Sequence, residues 1–474
     1  MIAIKKQIPK MQPSVDIRII NPQTGGLANI RCIALLRQLM GKRCTYEGLW
    51  EDRPVIVKLF TSPLRGFLHF RREQRGLSLL TEAGIPTPRL LHSGKTPDGK
   101  WALIFEKITP AEDLAQRLEK THSESQTLEL CQQWLDLLAR MHQKRILQTD
   151  LQPGNFLFNG STLYALDPGT VRKSRFPISV RAGLRQLAGM LSTMPPSLRE
   201  NPQPWLEGYC RHRGWQPTEK MQTLLKKFLR RQRQHIVRRS LKKTLRDSKR
   251  YFSLHEGPYR GMFTRRDWTE ETARQFVRQI DHLMESGQIL KRGNTCFVSR
   301  VQFGSLDIAV KRYNYKGFWH SLRHTLKGSR ARKCWLAAHR LQEEAIPCAR
   351  PLAFVKEKKN VLDQKTYYLT VYINGTTLDH FLKSPTFNTE QKNTILKKTK
   401  GILHLLCEFS FFHADPKPSN FLIGGEQVIL IDLDSIHYFP FPIFFFKKFC
   451  QRKIAVFQTE IQKLSNPASN PKQE

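Results

Sequence analysis

Two stretches of the chain repeat one pattern of apolar and polar positions. Ahead of Asp150, residues Trp134, Leu137, Leu138 and Met141 fall at i, i+3, i+4 and i+7; ahead of Asp415, Ile402, Leu405, Leu406 and Phe409 do the same. That spacing puts four apolar side chains on one face, and it predicts an amphipathic helix packed beneath the loop that carries each aspartate. After each loop comes a short apolar run, a turn at Asn159-Gly160 or Gly424-Gly425, and a second run ending at Asp167 or Asp432. This reads as a hairpin. Upstream, 55–60 and 308–310 read as strands that set Lys58 and Lys311 in a sheet. Each half starts as sheet and ends mostly helical, an α+β pattern.

The repeat extends to single residues. One copy reads LQTDLQPGNFLF and then LYALDPG; the other reads FFHADPKPSNFLI and then ILIDLD. Asp150, Asn155 and Asp167, like Asp415, Asn420 and Asp432, are separated by 5 and 12 residues. GIPTPRLL at 84–91 answers AIPCARPL at 345–352, and the lysines of RPVIVKLF and LDIAVKRY hold the same order upstream. The lysine-to-aspartate span is 92 residues in the first copy and 104 in the second, with eight of the extra twelve ahead of the Ile-Pro motif. One D-x4-N could arise by chance; two collinear sets indicate duplication.

Phosphoryl transfer from ATP needs this set of residue types, because its catalysis is mainly positioning and charge stabilisation. A lysine on a sheet neutralises the α- and β-phosphates, which assigns Lys58 and Lys311 to ATP. An aspartate at a loop tip orients an attacking hydroxyl and accepts its proton, the catalytic role assigned to Asp150 and Asp415. Asparagine and aspartate supply hard oxygen ligands for Mg²⁺, the role of Asn155, Asp167, Asn420 and Asp432. Lys-Asp-Asn-Asp is the protein-kinase order. Glu73, 15 residues after Lys58 on a predicted helix, is placed to pair with that lysine; counting back twelve from the second Ile-Pro motif gives Cys334 instead. Lys417 follows Asp415 by two, where the first copy has Gln152. The first copy ends Asp167-Pro-Gly and the second Asp432-Leu-Asp434, whose second carboxylate is a further candidate for the metal. Neither copy has a full glycine-rich phosphate loop, and the residues do not say which copy is active.

Charge adds a partner. Lys plus Arg number 78 against 40 Asp plus Glu, a formal net charge of +38, which points to phosphate-rich ligands, nucleic acid or an anionic membrane face. No nucleic-acid module is recognisable, so no specific nucleic-acid partner is expected. Residues 211–250 hold fifteen Lys or Arg against Glu219 and Asp247, and read either as a solvated linker helix or as a surface for anionic lipid phosphates. A basic-aromatic cluster after Lys311 (Lys316, Phe318, Trp319, Arg323, Lys327, Arg330, Arg332, Lys333) reads as a grip on a phosphorylated glycolipid. The run Tyr438–Phe446 is read either as a segment dipping into headgroups or as core. Nine scattered cysteines without a CxxC pair favour a reducing compartment. There is no apolar run near the ~18 residues that span a bilayer and no signal-peptide core. The expected location is cytoplasmic, peripheral at the inner face of the cell membrane.

LKRGNTCFVSRV, VKRYNYKGFWHSLRHTLKGSRARKCWLAAHRL, IPCARPLA, HADPKPSNFLI and ILIDLD together resemble the lipopolysaccharide kinase family, over about 285–440 and more loosely over about 30–172. The resemblance implies two tandem bilobal protein-kinase-like domains, each with a β-rich N-lobe and a helical C-lobe. It implies ATP and Mg²⁺ as cofactors, and phosphorylation of a Kdo or heptose hydroxyl in the lipopolysaccharide core or a lipid A precursor. Expected boundaries are an N-terminal lead at 1–30, domain one at 31–205, a basic helical linker at 206–260, domain two at 261–462 and a disordered tail at 463–474. The competing readings are a pseudokinase or scaffold in lipopolysaccharide assembly, and a kinase acting on protein.

Overall fold

The computed structural model describes residues 15–20, 25–39, 41–121, 123–314, 328–359, 362–439 and 446–465. The chain forms two compact units that divide between Arg233 and Gln234.

The first unit begins with a six-stranded antiparallel sheet, in the order Val15–Ile20, Leu27–Leu39, Arg43–Trp50, Arg53–Phe60, Trp101–Glu106, Leu90–Lys95. Strand alternation sorts its side chains. Val55, Val57 and Leu59 are buried with Ile17, Ile30 and Ile104 on one face. Ile56, Lys58 and Phe60 take the other face, where Phe60 packs with Phe70 and Leu77 of the helix Pro63–Glu82. Lys58 therefore faces that helix.

The second unit repeats five of these strands in the same order: Gln288–Arg292, Cys296–Phe303, Leu306–Asn314, Leu362–Val371, Pro351–Lys359. Ile308 and Val310 are buried with Phe276 and Trp268 on one face. Tyr313 on the other face packs with Cys334 and Trp335 of the helix Arg330–Glu343, so Lys311 looks toward this helix as Lys58 does toward its own.

In both units a long helix underlies the aspartate loop. Glu124–Gln143 buries Trp134, Leu137, Leu138 and Met141, the face expected from the spacing. Thr389–Glu408 buries Ile402 and Leu406, with Leu405 and Phe409 half-buried. The loops are closed by 3-10 turns at Pro153–Asn155 and Pro418–Asn420, each followed by the expected hairpin, Phe156–Phe158 with Leu163–Ala165 and Phe421–Gly424 with Gln427–Leu430.

Three boundaries differ from the sequence reading. The stretch 206–260 is not a separate linker. Its helices Gln203–Arg213 and Glu219–Lys243 place Leu206, Tyr209, Met221, Leu225 and Phe228 in the core of the first unit, and Tyr251–Glu256 with Tyr259–Thr264 form an edge hairpin of the second sheet. Met221, Leu225 and Phe228 recur at i, i+4 and i+7, a core-facing stripe inside a strongly basic sequence. The stretch 1–30 carries a sheet strand, Val15–Ile20, paired with residues 27–32. The last helix, Phe446–Ser465, reaches past 463, while 466–474, like 315–327 and 440–445, lies outside the described residues.

One close contact and two buried histidines yield predictions. A Cβ on Gly76, in the helix Pro63–Glu82, would lie 1.9 Å from the Pro168 carbonyl oxygen, so only glycine lets this helix meet the Asp167-Pro-Gly turn. Gly76→Ala should cost ~1–3 kcal/mol, read as a lower thermal midpoint, whereas Gly401→Ala, with open space around it in a helix, should raise the midpoint. Equal behaviour of the two would contradict the packing. Burial also pushes His142 down to about 3 and His339 down to about 4. Both stay neutral in the fold at pH values where the unfolded chain takes up a proton. The unfolded state therefore binds more protons below about pH 6.5, and stability falls as pH falls from there toward the folded values. At pH 5 the loss should be on the order of 2 kcal/mol per histidine. His142→Phe should flatten the acid slope of the thermal midpoint, and an unchanged slope would count against it.

Candidate active site

In the first unit the helix Pro63–Glu82 carries Glu73 to the sheet, where Lys58 Nζ lies 2.7 Å from Glu73 Oε2. The same carboxylate receives Arg43, from the neighbouring strand, on Oε1, and Arg43 Nη1 is 4.0 Å from Asp167 Oδ1. Glu73 is 3% exposed. A buried acid with two cationic partners is compensated rather than isolated. Burial and the adjacent Arg43 pull the Lys58 ammonium below its ordinary value. Asp167 has a left-handed backbone, φ 51°, held at the start of the turn that Gly76 abuts.

The second unit makes the equivalent junction from other residues. Lys311 Nζ lies 2.9 Å from Asp432 Oδ1 and 2.8 Å from Asp434 Oδ2. Burial works against this ammonium, but the two carboxylates outweigh it and hold Lys311 above its ordinary value. Asp434 also accepts from Arg330 Nη2 at 3.0 Å, from the Tyr313 hydroxyl at 2.7 Å and from the Cys334 thiol at 2.9 Å. Burial, then Asp434, pushes the Cys334 thiol well up, so it stays protonated and donates. Cys334 stands at the place of Glu73, as the count from the Ile-Pro motif anticipates.

The aspartate loops match closely. Asn155 Nδ2 donates to the Asp150 carbonyl at 3.1 Å, and Asn420 Nδ2 to the Asp415 carbonyl at 2.9 Å. Each asparagine is thereby tied to its aspartate, with the amide oxygen left for a ligand. In the second unit the Asp415 N–H donates to His413 Nδ1 at 3.2 Å, and burial pushes His413 down to about 4, keeping the ring nitrogen an acceptor. Lys417 Nζ and Asp415 Oδ2 form an exposed pair at 3.0 Å.

Among the described residues no group of three or more His, Cys, Asp or Glu is arranged as a metal cage. Mg²⁺ beside a nucleotide does not need one, because one or two protein oxygens complete a shell made of water and phosphate. The residues present fit that case. The oxygens of Asn155 and Asn420 are spare, and Lys311 engages Asp432 through Oδ1, which leaves Oδ2. Asp434 does not fit, since Lys311, Arg330, Tyr313 and Cys334 occupy it. Its candidacy as a further metal ligand is replaced by ion pairing.

Sequence reasoning missed Arg43 and the use made of Arg330. Arg330, a member of the basic-aromatic cluster that reads as a grip on a phosphorylated glycolipid, turns inward onto Asp434; Lys316, Phe318, Trp319, Arg323 and Lys327 of that cluster lie outside the described residues. No local signal marks Arg43, which meets Glu73 only through strand pairing and a helix 30 residues on.

No curated protein matches the chain. Among solved structures, that of vaccinia related kinase 3 aligns at 15% identity over 46% of this chain and 85% of its own, with a TM-score of 0.28. The sequence model of the lipopolysaccharide kinase (Kdo/WaaP) family matches residues 55–166 and 275–437, more than half of the chain and consistent with a tandem arrangement. These two segments contain both lysines, both D-x4-N loops and Asp432, and the first stops one residue short of Asp167; the chain belongs to the lipopolysaccharide kinase (Kdo/WaaP) family.

Proposed function

We propose that this chain transfers the γ-phosphoryl group of ATP to a Kdo or heptose hydroxyl of the lipopolysaccharide inner core, through two tandem kinase-like domains, each with a β-rich and a helical lobe. The observation that carries the reading is the meeting of Lys311 and Asp432 at 2.9 Å from positions 121 residues apart, beside a loop that fixes Asn420 to Asp415. Lys58 and Lys311 neutralise the α- and β-phosphates, with Glu73 orienting Lys58. Lys417, exposed beside Asp415, meets the transferring group. Asn155 with Asp167, and Asn420 with Asp432, would hold Mg²⁺, which supplies positive charge to the phosphates. A sugar hydroxyl is too weak an acid to ionise first at neutral pH. Asp415 therefore orients it and takes its proton late, as the sugar O–P bond forms and the bond to the ADP oxygen breaks. Asp150 has the same role in an active first unit.

The second unit is the stronger candidate for transfer because it keeps Lys417, where the first has Gln152. That difference, with Arg43 sharing Glu73, favours a second reading of the first unit as a nucleotide-binding or scaffold domain. The +38 charge supports work at an anionic inner-membrane surface. So does an open cavity of about 480 Å³ whose lining includes His255, Arg260, Arg332, Lys356 and Lys358 together with Met262 and Phe354. Among the described residues no helix is long and apolar enough to cross a membrane.

Asp415→Ala should lower turnover on a Kdo- or heptose-bearing lipid acceptor by roughly 10²–10⁴-fold with little change in Mg-ATP affinity. Asp432→Asn should weaken Mg-ATP binding itself. Wild-type turnover in an Asp150→Ala/Asp415→Ala double variant would reject the catalytic assignment. Arg332→Gln/Lys358→Gln should weaken binding to vesicles containing anionic lipid, and the deficit should shrink as salt rises. A deficit independent of salt would reject an electrostatic surface.

A further inference from the structure

We propose that Asp434 is the positioning residue for Lys311, doing from the loop what Glu73 does from the helix in the first unit, and that residues 334 and 434 are exchangeable as a pair for residues 73 and 169. The proposal rests on the reading of Lys311 as an ATP-binding residue.

The two junctions hold the same charges in different places. The first unit has Lys58, Arg43, Glu73 and Asp167; the second has Lys311, Arg330, Asp434 and Asp432. In each, two cations meet two carboxylates. The acid has moved from the helix to the loop, Glu73 giving way to Cys334 and Gly169 to Asp434. The second cation has moved the opposite way. Arg43 pairs in register with Phe60, two residues after Lys58; the residue paired with Tyr313, two after Lys311, is Cys296, and the guanidinium comes instead from Arg330 on the helix.

Space explains why the exchange is coupled. A Cβ on Gly169 would lie 2.9 Å from Glu73 Cγ, so beside Asp167 that junction admits one further acidic side chain, on the helix. The shorter Cys334 leaves room for the acid to come from the loop. Asp434 is 12% exposed in its side chain, and its four donors, from strand, helix and lysine, use the lone pairs of both oxygens. Removing it would leave Lys311 and Arg330 facing each other across a mostly buried site with Asp432 as the remaining acid, a costly arrangement. Both carboxylates that hold Lys311 now sit on one three-residue turn, so the lysine is set by the same turn that presents Asp432.

The test is a double-variant cycle in the full chain carrying Lys58→Met, which silences nucleotide binding by the first unit. Thermal midpoint and Mg-ATP affinity are measured for the parent, Asp434→Gly, Cys334→Glu and the combination. Asp434→Gly should weaken Mg-ATP binding by about tenfold or more, and Cys334→Glu, which crowds two acids together, should also weaken it. The combination should bind within about threefold of the parent, a coupling of the size found between residues in contact. Recovery of the midpoint without recovery of affinity would assign Asp434 a merely structural part and overturn the proposal. Strictly additive losses in both measurements would overturn the exchange itself. A parent that melts normally yet binds no Mg-ATP would instead reject the reading of Lys311, and the positioning role with it, even if the midpoints still showed the exchange.

Discussion

A lysine amine set between a sheet and a helix is taken out of water, and burial opposes its charge. The cost of removing an ammonium from water is several kcal/mol even after relaxation, unless carboxylates stand close. Each unit is organised around this constraint. The period-two alternation of one strand turns the lysine toward the helix, and the helix and the turn after the hairpin bring acids to it. Glu73 meets Lys58 at 2.7 Å, and Asp432 and Asp434 meet Lys311 at 2.9 and 2.8 Å. The glycine contacts at Gly76 and Gly169 in the first unit, and the small Cys334 in the second, are the steric conditions for those approaches.

The two units keep the aspartate loop in the same form and differ in where the charges around the lysine come from. The D-x4-N loop has the same 3-10 turn and the same asparagine-to-carbonyl bond in both. The counter-ion has no such fixed origin. The carboxylate comes from the helix at Glu73 in one unit and from the loop at Asp434 in the other, and the arginine from the strand at Arg43 and from the helix at Arg330. The edges of the sheets vary too, with a strand added beside Leu27–Leu39 in one unit and a hairpin beside Pro351–Lys359 in the other.

What was legible in the sequence was local or periodic. The helix faces at 134–141 and 402–409, the hairpins after each asparagine and the strand placement of Lys58 and Lys311 follow from spacings of a few residues. The pairing of Glu73 with Lys58 follows from a 15-residue count onto a helix. The inner contacts of Asp434 were hidden because Tyr313 and Lys311 reach it from more than 120 residues away. A second carboxylate beside a metal-binding candidate reads as a ligand until its donors are seen. The helices after residue 203 were misread for another reason: their dense Lys and Arg mask the stripe of Met221, Leu225 and Phe228 that packs into the first core.

Phosphate transfer to a core sugar of lipopolysaccharide, as proposed, leaves a covalent mark on a molecule that can be weighed. The most direct measurement is mass spectrometry of the lipopolysaccharide core from cells with and without this gene. The account predicts that the core from cells lacking the gene is missing one phosphate on a Kdo or heptose residue, restored by the wild-type gene and not by the Asp150→Ala/Asp415→Ala form. Identical core masses in all of these cells, with the protein present and folded, would contradict it.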